Sequence, residues 1–486
     1  MLDPKLYIQK LLEHKGVAIT ARKQKLLDDF ISSSAIHQAA VTILEQQTYI
    51  MKHWRIRDKI DDIMSARIVI PNATVGKPYS AVIDYDQYGL TDLVYDEWTG
   101  LEELGLQFNK ETKTISGIPA VSGELKFSFH FKVAGESESD VPNIKTITLI
   151  VNPDPKSLWK NIPSDRDAIF WKPDDAMAAG ALGDRHIVVA SNRGRSHENN
   201  GSFRDDDFAF KYIENTGWSV VAVSDGAGSY PLSRRGSQLA CSAVVEYFEH
   251  LIDLQALQDL ESKIRQYENG KDDSLWKDIA VSAKQQLYKA VLHAHHTIKT
   301  EATQLHAAAP ELFDNPRAKS LLDYFHATLI FTLFKKFDSG YIILTFGVGD
   351  CPIAIVNRDR TDTVLLNKLD VGEFGGGTRF VTQSDIYQPD ASPLTMAERF
   401  NVYYTEDFSY LFLMTDGIYD AKFVVEANLE KHEQWEAFIA DLEGDNDEHA
   451  LVDLDPGNEQ IAVELAAWMD FWSPGNHDDR TLAIIY

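Results

Sequence analysis

Residues 218–228 read WSVVAVSDGAG, and the fold is decided by how this stretch ends. The small and β-branched run Ser219–Ser224 predicts a buried strand. It stops at Asp225-Gly226-Ala227-Gly228, a turn too tight for large side chains, which leaves a carboxylate at the strand end. The same device recurs in TFGVGD (345–350) and LFLMTDG (411–417). A fourth instance, Asp478-Asp479-Arg480-Thr481, directly precedes the closing apolar run LAIIY, and the pair Asp205-Asp206 precedes another candidate strand, FAFKYI. A lone Asp-Gly is ordinarily a turn. An ordered set of carboxylates at strand ends is what a hard-cation site on a β scaffold requires, because Mg²⁺ and Mn²⁺ take oxygen ligands. A soft-metal site lacks support, since the only cysteines are Cys241 and Cys351 and no paired-His ligand motif occurs.

Working outward, the chain from 156 onward predicts strands at HIVVAS, FAFKYI, WSVVAVS, ATLIFTLF, YIILTFGVG, CPIAIVN, TVLLNKL, VYYTE, YLFLMTDG and TLAIIY. Helical stretches interrupt them at about 233–260, 274–305 and 430–471. Strictly alternating βα units are absent. The expected fold class is therefore α+β, with a central antiparallel β-sandwich flanked by helices over 156–486. Residues 66–152 form short alternating runs split by Gly, Pro and Asn, the pattern of a small all-β sandwich. Residues 1–65 predict a helical N-terminal segment, with apolar positions at helical spacing and a basic cluster at Lys52-His53-Trp54-Arg55-Ile56-Arg57. That segment reads as a cap on a neighbour or as a docking element, so a partner protein is expected somewhere on 1–152.

The 486 residues carry a formal charge of −27, which argues against nucleic acid or an anionic membrane as the main partner. Two cysteines cannot build a disulfide framework, and neither a signal-peptide core nor a run of about 18 apolar residues appears. A soluble, cytoplasmic protein is expected.

In these motifs the chain resembles the metal-dependent type 2C protein Ser/Thr phosphatases, in the style of a bacterial branch of that family. The likeness runs from RDDDFAF and VVAVSDGAGSYPLSRRGSQLA through HATLIFTLF and FGVGDCPIAIV to LFLMTDGIYD and NHDDRTLAIIY, in family order. The pieces GKPYSAVI and GLQFNKETKTISGIPAVSGELKFSFHFKV resemble bacterial immunoglobulin-like modules. By resemblance, Asp225 bridges two Mg²⁺ or Mn²⁺ ions, Gly226 adds its carbonyl, and Asp416 and Asp478 complete the first ion's ligands. Asp205 and Asp206 occupy the family's acidic pair, and Asp350 the position that helps hold a third ion. The implied reaction is direct attack of metal-activated water on phosphoserine or phosphothreonine in a phosphoprotein, opposing a Ser/Thr kinase in signalling.

The chain departs from the family in places. Gly201 stands where the phosphate-binding Arg is common, which leaves Arg195 and Arg204 as candidates. Ala227 stands where some members carry a His, which leaves His197 as a candidate acid. Cys351 replaces a Ser and is expected to pack. The segment 372–385, with Gly375–Gly377, is expected to be a flap that shapes substrate choice. A non-catalytic scaffold that keeps the fold and binds partners through its N-terminal modules is the alternative; the complete acidic set argues against it.

Overall fold

The computed structural model describes residues 3–370, 377–388, 394–446 and 449–486. The chain divides into two compact units, 1–158 and 159–486. The first holds helices α1 (Pro4–His14), α2 (Gln24–Ser32) and α3 (Ser34–Ser65), then strands β1 (Ala73–Thr74), β2 (Tyr79–Val82), β3 (Leu93–Thr99), β4 (Leu106–Asn109), β5 (Thr114–Gly117), β6 (Gly123–Val133) and β7 (Asn143–Asn152), and a short turn α4 (Pro155–Leu158). Its sheets, ordered β1-β7-β6-β3 and β2-β5-β4, close on one core of Trp98, Ile115, Phe129 and Leu149. The end of α3 joins that core through Ile56, Ile60 and Ile63.

The second unit begins with β8 (Asp175–Leu182), β9 (Arg185–Asn192), α5 (Arg195–Asn200), β10 (Asp207–Ile213), β11 (Trp218–Ser224), α6 (Ser233–Glu246), α7 (Leu254–Gly270) and α8 (Asp273–Ala308). It continues with β12 (Leu329–Lys336), β13 (Tyr341–Val348), β14 (Ile353–Asn357), β15 (Thr363–Leu365), β16 (Phe400–Thr405), β17 (Phe408–Met414), α9 (Asp416–Phe423), α10 (His432–Leu442), α11 (Ile461–Trp468) and β18 (Arg480–Ile485). Two antiparallel sheets result, β10-β11-β12-β13-β16 and β15-β14-β17-β18-β9-β8. This is the expected α+β class.

The layers follow from strand periodicity. In β11, Val221 and Val223 face the other sheet, meeting Ile353, Leu413 and Ala483. Val220 and Ala222 face outward under α6 and α8. On the opposite sheet, Phe412, Met414 and Leu482 point outward to Trp435, Phe438 and Trp468 of α10 and α11. Every residue of β11 is buried, because helices cover the face that would otherwise meet water. That explains a continuous apolar run where a half-exposed strand would alternate.

Two expectations shift in detail. The helix predicted over 233–260 is two helices, α6 and α7, joined by a π-turn at Tyr247–Leu251. Strand β8, DAMAAGAL, adds an edge that its Ala-rich sequence did not announce, since Ala has weak strand preference. Among the described residues no helix is long and apolar enough to cross a membrane. Phe331 is fully buried on the helix-covered face of the first sheet. Phe331→Ala is expected to cost about 3–5 kcal/mol of stability, read as a lowered denaturant midpoint.

Candidate metal centre

Register brings the carboxylates together. Strands β10 and β11 pair with Asp207 opposite Ser224, so one step further Asp206 lies across from Asp225. On the other side of β11, Asp225 exchanges bonds with Thr328: its N–H donates to Thr328 Oγ1 (2.9 Å), and Thr328 N–H donates to its carbonyl (2.8 Å). Strand β13 ends at Val348, opposite Leu329, and Gly349 turns the chain to deliver Asp350. Strands β17 and β18 pair Met414 with Leu482, which sets Asp416 beside Asp478 and Asp479. All of these acids therefore stand at one end of the two sheets.

The approach is close enough to demand glycine. A Cβ on Gly226 would sit 2.6 Å from the Asp205 carbonyl oxygen. On Gly417 it would sit 1.9 Å from that of Asp479. The Asp-Gly pairs are thus set by backbone crowding around the acids, and Gly226 does not need a left-handed φ.

The electrostatics are those of an uncompensated anionic cluster. Burial, then the charges of Asp416, Asp206, Asp478 and Asp350, hold the Asp225 carboxyl well above the usual carboxylate range. Burial, then Asp350, Asp478 and Asp206, do the same to Asp416. Asp205 and Asp206 are raised by burial first and by Asp479 second. One oxygen of Asp350 accepts from Thr378 Oγ1 (2.6 Å), while its buried partner Oδ1 has no hydrogen bond among the described residues. Hard oxygen donors crowded with like charge, one of them an orphaned buried carboxylate oxygen, fit divalent cations of the Mg²⁺ or Mn²⁺ kind.

Several supporting residues carry no motif. Asp479 is the hub of the β18 side. Its carboxylate accepts from the Asp205 and Gly194 backbone N–H groups and from His197 Nδ1 (2.9 Å). Burial would raise it, but the His197 charge and hydrogen bond, with the two N–H donors, hold it below its ordinary range. Thr415 and Thr481 hydroxyls lie 2.8 and 2.7 Å from Asp206 Oδ2. Ser237 Oγ donates to the Asp205 carbonyl. Behind the acidic pair, the buried Lys172 donates to the Asp206 carbonyl (2.6 Å) and Asp207 Oδ2 (2.9 Å). Of these, Asp479, Thr415 and Thr481 lay inside the quoted strand-end motifs, while Ser237 and Lys172 carried no sequence signal.

His197 sits on the short α5, with its Nε2 4.0 Å from Asp205 Oδ2 and 3.3 Å from where a Gly228 side chain would begin. Burial would lower its pKa, but Asp479, Asp205 and Asp478 outweigh burial and raise it to about 10. The two arginines part company with expectation. Arg204 is buried and spends its guanidinium on the Pro173 carbonyl, Ser191 Oγ and the Asp206 carbonyl, so it supports the acidic pair and is not free to grip phosphate. Arg195 pairs with Asp470 Oδ1 (2.5 Å) and its carbonyl (2.9 Å) beside Trp472, and contacts none of the clustered acids. Cys351 is fully buried, 3.3 Å from Thr328 Oγ1, and packs. Gly375 and Gly376 of the expected flap lie outside the described residues; the segment beyond them ties back through Thr378 and through Val381 N–H to the Ala327 carbonyl.

A model of the protein phosphatase 2C family matches residues 193–455. That range takes in Asp205, Asp206, Asp225, Asp350 and Asp416, and ends before Asp478. Among solved structures, the catalytic domain of the serine/threonine protein phosphatase PstP with two manganese ions is 13% identical over 64% of this chain and 98% of that one, at a TM-score of 0.35. The serine/threonine phosphatase Stp1 from Staphylococcus aureus is 12% identical over 66% and 98%, at 0.32. A serine/threonine phosphatase from S. agalactiae is 16% identical over 62% and 99%, at 0.31. No curated protein matches.

Two outcomes test the electrostatics. A carboxyl raised by folding costs the metal-free protein stability at pH 7, so Asp416→Asn is expected to raise its melting temperature by about 2 °C while removing the further rise given by Mn²⁺. His197, raised by folding, contributes stability that is complete below about pH 6.5 and is lost as pH climbs through about 10. His197→Gln is expected to flatten that alkaline decline in thermal melts of the metal-free protein.

Proposed function

The chain belongs to the protein phosphatase 2C family, and from that membership we propose that it hydrolyses phosphoserine and phosphothreonine in proteins with the help of Mg²⁺ or Mn²⁺. The observation that carries this reading is the convergence of Asp205, Asp206, Asp225, Asp350, Asp416 and Asp478 from separate strand ends into one oxygen-rich end of the sandwich, where burial and neighbouring charge raise each carboxyl. In the proposal Asp225 would hold the ions, with the Gly226 carbonyl beside it. Asp416, Asp478 and the acidic pair would complete their ligands, and Asp350, whose Oδ1 has no hydrogen bond among the described residues, would help hold a further ion. When bound, such ions supply a water of lowered pKa and neutralise charge on the phosphoryl oxygens.

The protein's own residues supply the rest. Asp479 fixes the His197 ring through Nδ1 and leaves Nε2 toward the acidic group, which suits a donor of the leaving alkoxide's proton. Thr415 and Thr481 orient Asp206, and Thr378 orients Asp350. Neither Arg195 nor Arg204 is retained here as a phosphate ligand. Residues 66–152 are assigned as an immunoglobulin-like module, a reading supported by two sheets closing on one core. Opposition to a Ser/Thr kinase follows from the reaction class.

The purified chain is expected to release phosphate from a phosphothreonine peptide only with Mn²⁺ or Mg²⁺, and Asp225→Asn to lower kcat at least about 10³-fold with the fold intact by circular dichroism. Metal-independent turnover, or an unchanged rate in the variant, rejects the assignment. No divalent binding by calorimetry favours a scaffold that has kept only the fold.

A further inference from the structure

Helix α3 has 32 residues and runs about 48 Å, longer than either neighbour can cover. Its first part packs on α1 and α2 through Ala40 against Ile8, Leu27 and Ile31. Its last turns enter the β core through Ile60 and Ile63. Between Leu44 and Lys59 only Ile56 reaches the β core. There, from Leu44 to Lys59, the helix and the Val133-Ala134 turn after β6 enclose an open groove of about 740 Å³.

The groove has two chemical characters. Leu44, Met51, Ile56, Val133 and Ala134 give it apolar walls. Within it Met51 is 51% exposed. Lys52, Arg55 and Lys59 line the same groove, together with Asp92, Gln47 and Thr48. Lys59 is held by the Gly89 carbonyl and Thr91 Oγ1, both at 3.0 Å. Lys52 and Arg55 have no hydrogen bond or ion pair among the described residues. Residues 46–57 contain Lys52, Arg55 and Arg57 and no acid, in a chain of net charge −27.

We propose that this groove binds an acidic amphipathic helix of a partner protein, whose aliphatic face covers Met51, Ile56 and Ala134 and whose carboxylates meet Lys52 and Arg55. The shape favours a helix, because the groove follows one helix for about 22 Å and ridges of a second helix fit beside it. The charge favours an acidic occupant, since Lys52 and Arg55, which outnumber the lining carboxylate of Asp92, steer and orient carboxylates. A second copy of this chain is disfavoured by self-repulsion at −27. Three cations in a row are too few to hold a nucleic-acid backbone against that charge. The groove lies in the first unit, and its occupancy is independent of the phosphatase assignment.

The test uses the full chain and a fluorescein-labelled helical peptide of about 16 residues, with Leu at i, i+3, i+4 and i+7 and Glu elsewhere. A matched peptide carries Lys in place of Glu. Anisotropy is expected to show saturable binding of the Glu peptide, weakened about tenfold or more by Lys52→Glu/Arg55→Glu and by raised salt, with no binding of the Lys peptide. Thermal melting and Mn²⁺-dependent turnover of an aryl phosphate are expected to be unchanged in the double variant, which separates loss of the groove from loss of the fold. The proposal is overturned if the Glu peptide fails to bind, if the variant binds it equally, or if the Lys peptide binds as well. It is also overturned if sedimentation finds a wild-type dimer that the double variant loses, since a second copy would then cover the face.

Discussion

Like charges crowded at the ends of buried strands are the constraint on which the second unit is built. Asp225 is pushed toward protonation by burial and then by Asp416, and Asp416 by burial and then by Asp350, so folding without counter-charge works against itself there. The protein opposes this in two ways. Asp479 collects two backbone N–H donors and the His197 imidazolium, which binds β18 to the acidic pair and to α5. Behind the pair, Lys172, Arg204 and Arg234 spend their donors on carbonyls at positions 169, 170, 173, 206, 231 and 234 and so fix the backbone that carries the acids. Neither device cancels the charge in front of the cluster, and that residual field is what attracts divalent ions.

The sandwich makes such crowding possible. Adjacent antiparallel strands bring residues distant in sequence to the same edge, and helices on both outer faces keep the strands rigid. Strain of this kind is tolerable only on a scaffold whose core is deep: Phe331, Ile353, Leu413 and Ile484 are all fully buried. The first unit carries paired charge on its β module, Asp96 with Lys110 and Lys113. Its distinctive feature is a helix longer than its packing partners, so apolar and basic side chains remain on show between two small cores.

Much of the acidic centre was legible because its residues must sit at fixed points of regular strands. A β-branched run that stops at Asp-Gly has one interpretation once several such runs follow in order, and Gly226 and Gly417 are glycine because another chain segment passes within 3 Å of where a side chain would start. The supports were not legible. Lys172 acts through a buried ammonium on carbonyls 34 and 62 positions away, and nothing in IFWK announces that. Arg204 and Arg195 looked alike as phosphate ligands because both lie near the acidic pair in sequence. One is buried under that pair and the other turns to Asp470, a difference made by packing alone.

The sequence by itself determined the α+β class, the ordered acids, the glycines beside them and the family they point to, because period, turn chemistry and residue type are local properties. The tertiary structure alone decided which acid is the hub, which cations are spent on the backbone, how His197 is aimed, and that the middle of α3 lies open beside an apolar groove. Those outcomes depend on which distant segments meet, and hydrogen-bond partners across 274 to 285 residues are chosen by the register of strands and the packing of layers, not by neighbours in the chain.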